Sequence, residues 1–330
     1  MKRKNILVVG GAGYIGAHMV RQLVNTGYHA IVLDDLSRGH AEMIPDGALV
    51  VGDFGDQQLL DAIFSKQKID AVIHFAALSL VGESVERPLA YYDNNVAKTI
   101  KLLDRMRQNG VDKFIFSSTA AVYGEPRATP ITEDHLCEPL SPYGASKLIV
   151  ERVLRDCDSA FGLKSICLRY FNAAGADESG ALGERHDPET HLIPLVLQIA
   201  AGMRGHINVF GDDYATEDGT CVRDYVHVSD LAGAHSLALE QLLAGGDSEV
   251  YNLGNNRGYS VLEVLKVARE VTGHTIPAVK ADRRPGDPAV LIADSSKIRT
   301  RLGWRPRYEE LEAIIGTAWR WHRNESGQGR

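Results

Sequence analysis

The chain has 330 residues, 44% apolar and 24% charged, the balance of an ordinary soluble globular protein with length enough for two domains or one enlarged one. Its 36 Lys and Arg against 43 Asp and Glu leave a formal net charge of -7, which argues against a protein that holds nucleic acid electrostatically. No apolar run approaches the ~18 residues that span a bilayer. Cys137, Cys157, Cys167 and Cys221 are scattered, without a C-x-x-C pair or a histidine at finger spacing, so free thiols in a cytoplasmic protein are expected, with no disulfide framework and no metal site.

Met1-Lys-Arg-Lys precedes only four apolar residues before glycine intervenes, so 5–9 reads as a buried first strand rather than a signal peptide. The strand stops at Gly10-Gly-Ala-Gly13-Tyr-Ile-Gly16. An amphipathic segment follows to about Thr26 with Gly27 as its stop, and a second apolar run, 29–33, ends on Asp34 and Asp35. Strand, glycine turn, helix, strand and acid in this order make a dinucleotide-binding βαβ unit. The glycines bring backbone N–H groups against a pyrophosphate, and a carboxylate at Asp34 accepts from ribose hydroxyls and repels a 2′-phosphate, which favours NAD over NADP. Two glycine registers, from Gly10 and from Gly11, remain open.

The alternation continues with strands at 49–51, 71–75, 113–117 and 165–169 and helices at 57–65, 90–107 and 143–161. Together they predict an α/β chain with a Rossmann-type doubly wound parallel sheet, ligands at the carboxyl ends of its strands, and a smaller mixed α/β C-terminal substrate domain. Asp53, Phe75, Ser117-Ser118-Thr119 and Tyr170-Phe171-Asn172 stand at such ends. The stretch 173–190, rich in Gly, Asp, Glu and His, reads as a long surface excursion. Beyond it lie a helix at 192–203, a strand at 208–210, a helix at 228–243 that packs back on the first domain, a strand at 250–253, a helix at 261–272, a loop at 282–287 and a final helix near 311–322. The expected division is a cofactor domain of 1–172 plus about 224–246, and a substrate domain of 173–223 and 247–330, with the last six residues frayed.

Tyr143 and Lys147 lie four residues apart, one turn on the same face if helical. Bringing a phenol from its ordinary ~10 to about 7 takes roughly 4 kcal/mol of preferential phenolate stabilisation, which a nearby ammonium in a partly dry site supplies. Such a tyrosine removes a proton from an alcohol while a dinucleotide takes the hydride. Arg223 and Arg284 are the arginines best suited to phosphate. The 12 histidines show no ligand spacing such as H-x-x-x-H, and His18, His74 and His227 read as structural.

With Gly10-x-x-Gly13-x-x-Gly16, Asp34, Ser117-Ser118-Thr119 and Tyr143-x-x-x-Lys147 in order, the chain resembles the extended short-chain dehydrogenase/reductase family. More narrowly it is similar to the branch that inverts C4 of UDP-glucose, through His74-Phe-Ala-Ala77, Tyr91-Tyr-Asp-Asn-Asn-Val96, Leu168-Arg-Tyr-Phe-Asn172, Val222-Arg-Asp-Tyr225 and Tyr251-Asn-Leu-Gly254. The resemblance implies a tightly held NAD, with Tyr143 as base, Thr119 hydrogen-bonding the same sugar oxygen, and Lys147 holding the ribose. It places Gly10, Gly13, Tyr14, Ile15, Gly16, Asp34, Asp53, Phe75, Asn94 and Tyr170 along NAD. It places Asn172, His191, Leu192, Arg223, Arg284, Asp287 and Leu291 on the UDP-sugar, and implies a homodimer through the 90–107 and 143–161 helices. Ser79 stands where many relatives have lysine and His191 where others have asparagine; Leu291 is intermediate between a bulky tyrosine and a small residue. A 4,6-dehydratase would need an acid and a base where Ala120 and Ala121 stand. Epimerases of other nucleotide sugars and a non-catalytic nucleotide sensor are the remaining alternatives.

Overall fold

The computed structural model describes residues 3–45, 48–284, 287–325 and 327. Pro285 and Gly286 of the predicted 282–287 loop, and most of the terminal residues expected to fray, lie outside them. In the first half, β1 (Asn5–Val9), α1 (Tyr14–Asn25), β2 (His29–Asp34), β3 (Leu49–Val51), α2 (Gln57–Lys66) and β4 (Ala71–His74) precede three helices, α3 (Val81–Glu86), α4 (Pro88–Tyr92) and α5 (Lys98–Gln108). Then come β5 (Lys113–Thr119), α6 (Pro142–Phe161) and β6 (Lys164–Tyr170). Local chemistry accounts for the boundaries. The Asp56 carboxylate accepts from the N–H groups of Gln58 and Leu59 at the start of α2. Ser141 caps α6 with Pro142 in its first turn, and Gly162, at φ 74°, ends it.

The second half contains β7 (Asn172–Ala174), α7 (Leu192–Ala200), β8 (Ile207–Phe210), β9 (Val222–His227), α8 (Val228–Leu243), β10 (Glu249–Leu253), β11 (Gly258–Ser260), α9 (Val261–Thr272), β12 (Ala278–Ala281), β13 (Val290–Leu291), α10 (Ser296–Arg301) and α11 (Leu311–Glu325). Seven strands form one parallel sheet in the order β10-β6-β5-β4-β1-β2-β3. The order reverses between β1 and β4, where doubly wound sheets bind ligands. A second sheet is centred on β9, which pairs with β7, β11 and β13, and β12 pairs with β8.

The fully buried run of β1 explains the two-faced core. Ile6 and Val8 join one apolar cluster with Met19, Val20 and Leu23 of α1 and with Leu231, Ala234, Ala238, Leu239 and Leu242 of α8. Leu7 and Val9 point the other way, toward residues of α2, α5 and α6, as a period of two requires. Each such side chain contributes about 1.5–3 kcal/mol on full burial. The return of α8 onto α1, expected from the sequence, thus completes one face of the sheet.

The structure departs from expectation in four places. The helix expected over 90–107 is broken by a π turn at Asp93–Ala97. Strands β7, β11, β12 and β13 have only two to four residues, too few for a visible period. Glu249–Leu253 belongs to the large sheet, so the chain returning to the first layer runs past 246. The 173–190 stretch is no simple surface loop, since Leu182, Glu184 and Glu189 within it are buried.

Four of the described histidines, His18, His74, His227 and His235, are buried, and burial lowers each of them. Burial lowers His74 and His227 to about 3 and His235 to about 4 from an ordinary 6.5. Below pH 6.5 the unfolded chain takes up protons that the fold refuses, so stability present above that pH is lost as pH falls toward 3–4, by about 1.4 kcal/mol per pH unit for each histidine. Urea unfolding at pH 6.5, 5.5 and 4.5 is expected to show this slope, and His74→Asn to flatten it; an unchanged slope in the variant would remove His74 from the account.

Candidate active site

The carboxyl ends of adjacent strands place Tyr170, Thr119, Phe75, Gly10, Asp34 and Asp53 in a row across β6, β5, β4, β1, β2 and β3, a span of about 24 Å at ~4.8 Å per strand. At its centre the glycines have separate tasks. Gly10 has φ 77°, and a Cβ there would lie 2.4 Å from the Ala76 nitrogen. A Cβ on Gly16 would lie 2.2 Å from the Gly10 carbonyl oxygen, and one on Gly11 would press on Val32, Val8 and Val20. These three permit packing within the protein. A Cβ on Gly13 would meet nothing closer than the Gly10 oxygen at 3.5 Å, so no described neighbour excludes a side chain there and the position is open at the end of β1. Gly13 is also the N-cap of α1 and supplies no side-chain cap, as an anion-binding helix start requires.

Asp34 is buried and aimed by two backbone donors, Ala12 N–H and Leu36 N–H, each at 2.9 Å. Burial raises its carboxyl, against those two bonds. Leu36 pays for the aim with a left-handed backbone at φ 60°, the kind of local strain that gathers at ligand sites. Asp53 accepts from the Gly55 N–H at 2.7 Å and pairs with Lys98 at 2.6 Å, leaving its carboxylate half-exposed at the rim of the row.

Thr119 ends β5 and Tyr143 opens α6. Gly144 lets them meet, because a Cβ there would lie 2.5 Å from the Ala121 carbonyl oxygen. The Tyr143 phenol is raised by burial, while its hydrogen bond with Thr119 acts the other way. Lys147 donates to the Ser117 carbonyl at 2.8 Å and lies 4.7 Å over the Phe116 ring. Burial brings it down to about 7, opposed by Glu151 one turn further along. Burial is the largest influence on both groups, and the ammonium is directed to β5.

Asn95, which the sequence reading did not single out, sits on the π turn and fixes the same ensemble. Its amide exchanges bonds with both backbone groups of Leu78, each at 2.9 Å, and donates to Ser146 of α6 at 3.1 Å. Asn94 beside it is partly exposed and donates to Asn95 at 3.1 Å. The irregular turn gives two consecutive asparagines different directions, as π turns at functional sites do, and no periodicity announces it. Tyr170 hydrogen-bonds His235 of α8, and Phe75 packs 4.9 Å from the same imidazole.

The second sheet carries the other predicted residues. Asn172 lies on β7 beside Tyr225, and Leu291 on β13 beside Arg223. Arg223 donates to Asp287 at 2.6 Å, and Arg284 stacks 4.0 Å over Phe210. Leu291 packs against an apolar cluster that includes Ala120, Phe171 and Ala293, which joins this lobe to the turn after β5. His191 is the N-cap residue of α7 and Leu192 its first residue, with no side-chain cap. Ser79, in the loop after Phe75, is exposed.

A cluster that the histidine spacing did not suggest lies beneath α1. Nδ1 of His191 is 2.7 Å from Glu184 and 3.2 Å from Glu189; Nδ1 of His186 is 3.2 and 3.6 Å from the same two. Burial alone would lower both imidazoles, but the two carboxylates outweigh it, pushing His186 to about 9 and His191 to about 10. The pattern E-x-H-x-x-E-x-H over 184–191 is the signal that could have found it. Tyr14 connects this cluster to the glycine turn: its hydroxyl donates to the Gly175 carbonyl at 2.5 Å, and burial, then Glu184 and Glu189, hold the phenol far above its usual range.

A family model described as GDP-mannose 4,6 dehydratase matches residues 7–316. The chain is 56% identical over 318 residues to the UDP-glucose 4-epimerase of Halalkalibacterium halodurans, covering 96% of this chain and 95% of that protein. A solved UDP-glucose 4-epimerase shares 52% identity at a TM-score of 0.95 over 98% of both chains. The Brucella ovis UDP-glucose 4-epimerase, solved in complex with NAD, shares 48% at a TM-score of 0.93, covering 96% of this chain and 97% of that one. The chain belongs to the extended short-chain dehydrogenase/reductase family, among the UDP-glucose 4-epimerases.

Proposed function

We propose that the chain interconverts UDP-glucose and UDP-galactose by oxidising and re-reducing C4 of the sugar with NAD held throughout. The observation that carries this reading is the meeting of Tyr143 with Thr119 at the end of β5, two strands from a glycine turn whose Gly13 position no protein atom fills. NAD, when bound, supplies the acceptor and the return source of the C4 hydride and a positive charge near the phenol. The turn Gly10, Gly13, Tyr14, Ile15 and Gly16 would hold the pyrophosphate, Asp34 the adenosine ribose, Lys147 the second ribose, and Asp53, Phe75, Asn94 and Tyr170 the remaining length.

Tyr143 takes the proton from the sugar O4 and later returns it, while Thr119 hydrogen-bonds that oxygen and fixes its distance. Inversion requires the 4-keto sugar to present both faces to one nicotinamide, so the sugar has to turn while the UDP stays anchored. Asn172, His191, Leu192, Arg223, Arg284 and Asp287 are the anchor. Leu291 bounds the sugar region, and its size favours glucose and galactose over N-acetylhexosamines. A 4,6-dehydration, the activity in the matched family model's description, would need proton carriers next to Thr119. Ala120 and Ala121 occupy that 3₁₀ turn and carry no protons.

The division into a cofactor domain and a substrate domain fits this scheme, with the sugar between the row of strand ends and the β9 sheet. No described helix is long and apolar enough to cross a membrane, and the four cysteines are free; a cytoplasmic enzyme is the reading these support. We also place a homodimer interface on the helices of 88–108 and 142–161, where Leu89 is 82% exposed and Ile100 and Ile149 nearly half. Light scattering is expected to give twice the chain mass, and Leu89→Glu with Ile149→Glu to give the monomer; a monomeric parent would sink the interface.

Anomeric-proton NMR of the purified chain with UDP-galactose and no added NAD is expected to show UDP-glucose forming, with Tyr143→Phe slower by about 10²-fold or more and UDP-N-acetylglucosamine turned over poorly. Absence of conversion after NAD is supplied would overturn the assignment. Gly13→Val is expected to cost the apo chain about 1 kcal/mol or less yet abolish NAD retention, whereas Gly16→Val unfolds the turn. Equal loss of stability in both would deny Gly13 its ligand-facing role.

A further inference from the structure

Glu184, His186, Glu189 and His191 each direct one ligand atom into a region where all four lie within 4.8 Å of one another. The two carboxylates are 6% and 8% exposed, a costly burial of two negative charges that must be balanced locally. Arg185, between them in sequence, turns away to Glu42 and Glu325. Balance comes from two imidazolium ions or from one divalent cation bound by two neutral imidazoles, and both give a net charge of zero.

Geometry separates these. An imidazolium needs its N–H aimed at an oxygen. Nδ1 of His186 is buried and makes no hydrogen bond among the described residues, although carboxylate oxygens stand 3.2 and 3.6 Å away; Nδ1 of His191 is hydrogen-bonded to Glu189 at 3.2 Å, so the unpaired nitrogen is the one that points to a missing ligand. Four donors around one ion at ~2.0–2.2 Å lie about 3.3–3.6 Å apart along the tetrahedron's edges. The imidazole nitrogens stand 2.7 and 3.2 Å from one oxygen of Glu184, while Glu189 offers Oε1 to His191 at 3.2 Å and Oε2 to His186 at 3.6 Å, so a small shift that opens the shortest contact and turns one Glu189 oxygen inward would give the four-donor spacing. Two nitrogens and two carboxylate oxygens in a closed four-coordinate arrangement suit a zinc-class ion.

From this convergence we infer that Glu184, His186, Glu189 and His191 form a structural site for one divalent, zinc-class metal ion. The site replaces the expectation of no metal, which rested on cysteine usage and on H-x-x-x-H spacing. Its role is to clasp. Glu184 and His186 belong to the irregular stretch under Tyr14, whose ring lies edge-on to His186 at 6.4 Å. Glu189 and His191 belong to the entry of α7, where Glu189 also accepts from the N–H groups of Thr190 and His191. One ion would join the dinucleotide turn to the second lobe without touching the reacting atoms.

The test uses the full chain with NAD added, stripped by a chelator and titrated with Co²⁺. The expected result is one Co²⁺ per chain with the intense visible bands of four-coordinate cobalt, bleached by Zn²⁺. Glu184→Gln and His186→Gln are each expected to weaken uptake by about tenfold or more, and Zn²⁺ to raise the melting temperature of the parent but not of His186→Gln. A six-coordinate spectrum, or parent uptake no greater than that of His186→Gln, overturns the site in favour of paired imidazolium and carboxylate. Should the variants fail to fold, competition of the parent against a chromophoric chelator decides alone: a Zn²⁺ Kd weaker than about 10 µM overturns the proposal.

Discussion

The close approach of α6 to the end of β5 is the constraint on which the rest of the site depends. Lys147 reaches the Ser117 carbonyl from one side, and the missing side chain of Gly144 lets the first turn of the helix touch the Ala121 carbonyl on the other. Between these two contacts the helix has no freedom to roll, so the Tyr143 phenol faces Thr119. Ser141, Pro142 and the Asn95–Ser146 bond set where the helix starts and which way it faces.

Behind that approach lies a fully buried polar network. Glu151 accepts two bonds from Arg169, at 2.6 and 3.0 Å, and one from Ser118 at 2.6 Å; Arg169 also donates to Tyr123, which donates to Asn252. Three of its members adjoin site residues: Ser118 precedes Thr119, Glu151 follows Lys147 by one turn, and Arg169 precedes Tyr170. A buried pair of this kind contributes little net stability, but breaking it leaves an uncompensated charge, at a cost of about 3–5 kcal/mol. Its effect is to lock the registers of β5, β6 and α6 against each other. Glu151 also keeps negative charge beside an ammonium that burial disfavours.

Much of this was legible in the residues because it rests on short-range patterns. Strand ends, the glycine turn and the Tyr143–Lys147 spacing all follow from periods of two and 3.6 and from the special backbone of glycine. The two glycine registers could not be separated in one dimension, and contacts show that both starting glycines are required by packing, since Gly10 and Gly11 each press on protein atoms, as Gly16 does, and Gly13 does not. What stayed hidden depends on partners distant in sequence. Asn95 gains its role from Leu78 and Ser146, the short strands around β9 gain theirs from pairing, and the Glu184–His191 cluster forms only because an irregular stretch folds inward.

The position of β10 has a consequence for how the chain emerges during synthesis. Its first six strands are complete by Tyr170, yet the strand that covers the β6 edge ends at Leu253 and the helix that covers one face of the sheet occupies Val228–Leu243. At about 5–20 residues per second, the interval between Tyr170 and Leu253 lasts roughly 4–17 s. The nascent sheet has an uncovered apolar face until Leu243 is added and an open edge until Leu253, the surfaces most prone to pair with a neighbouring chain. Chains truncated before Val228 would keep both surfaces permanently, and chains ending between Leu243 and Glu249 would keep the open edge, so the second half of the polypeptide protects the first as well as extending its site.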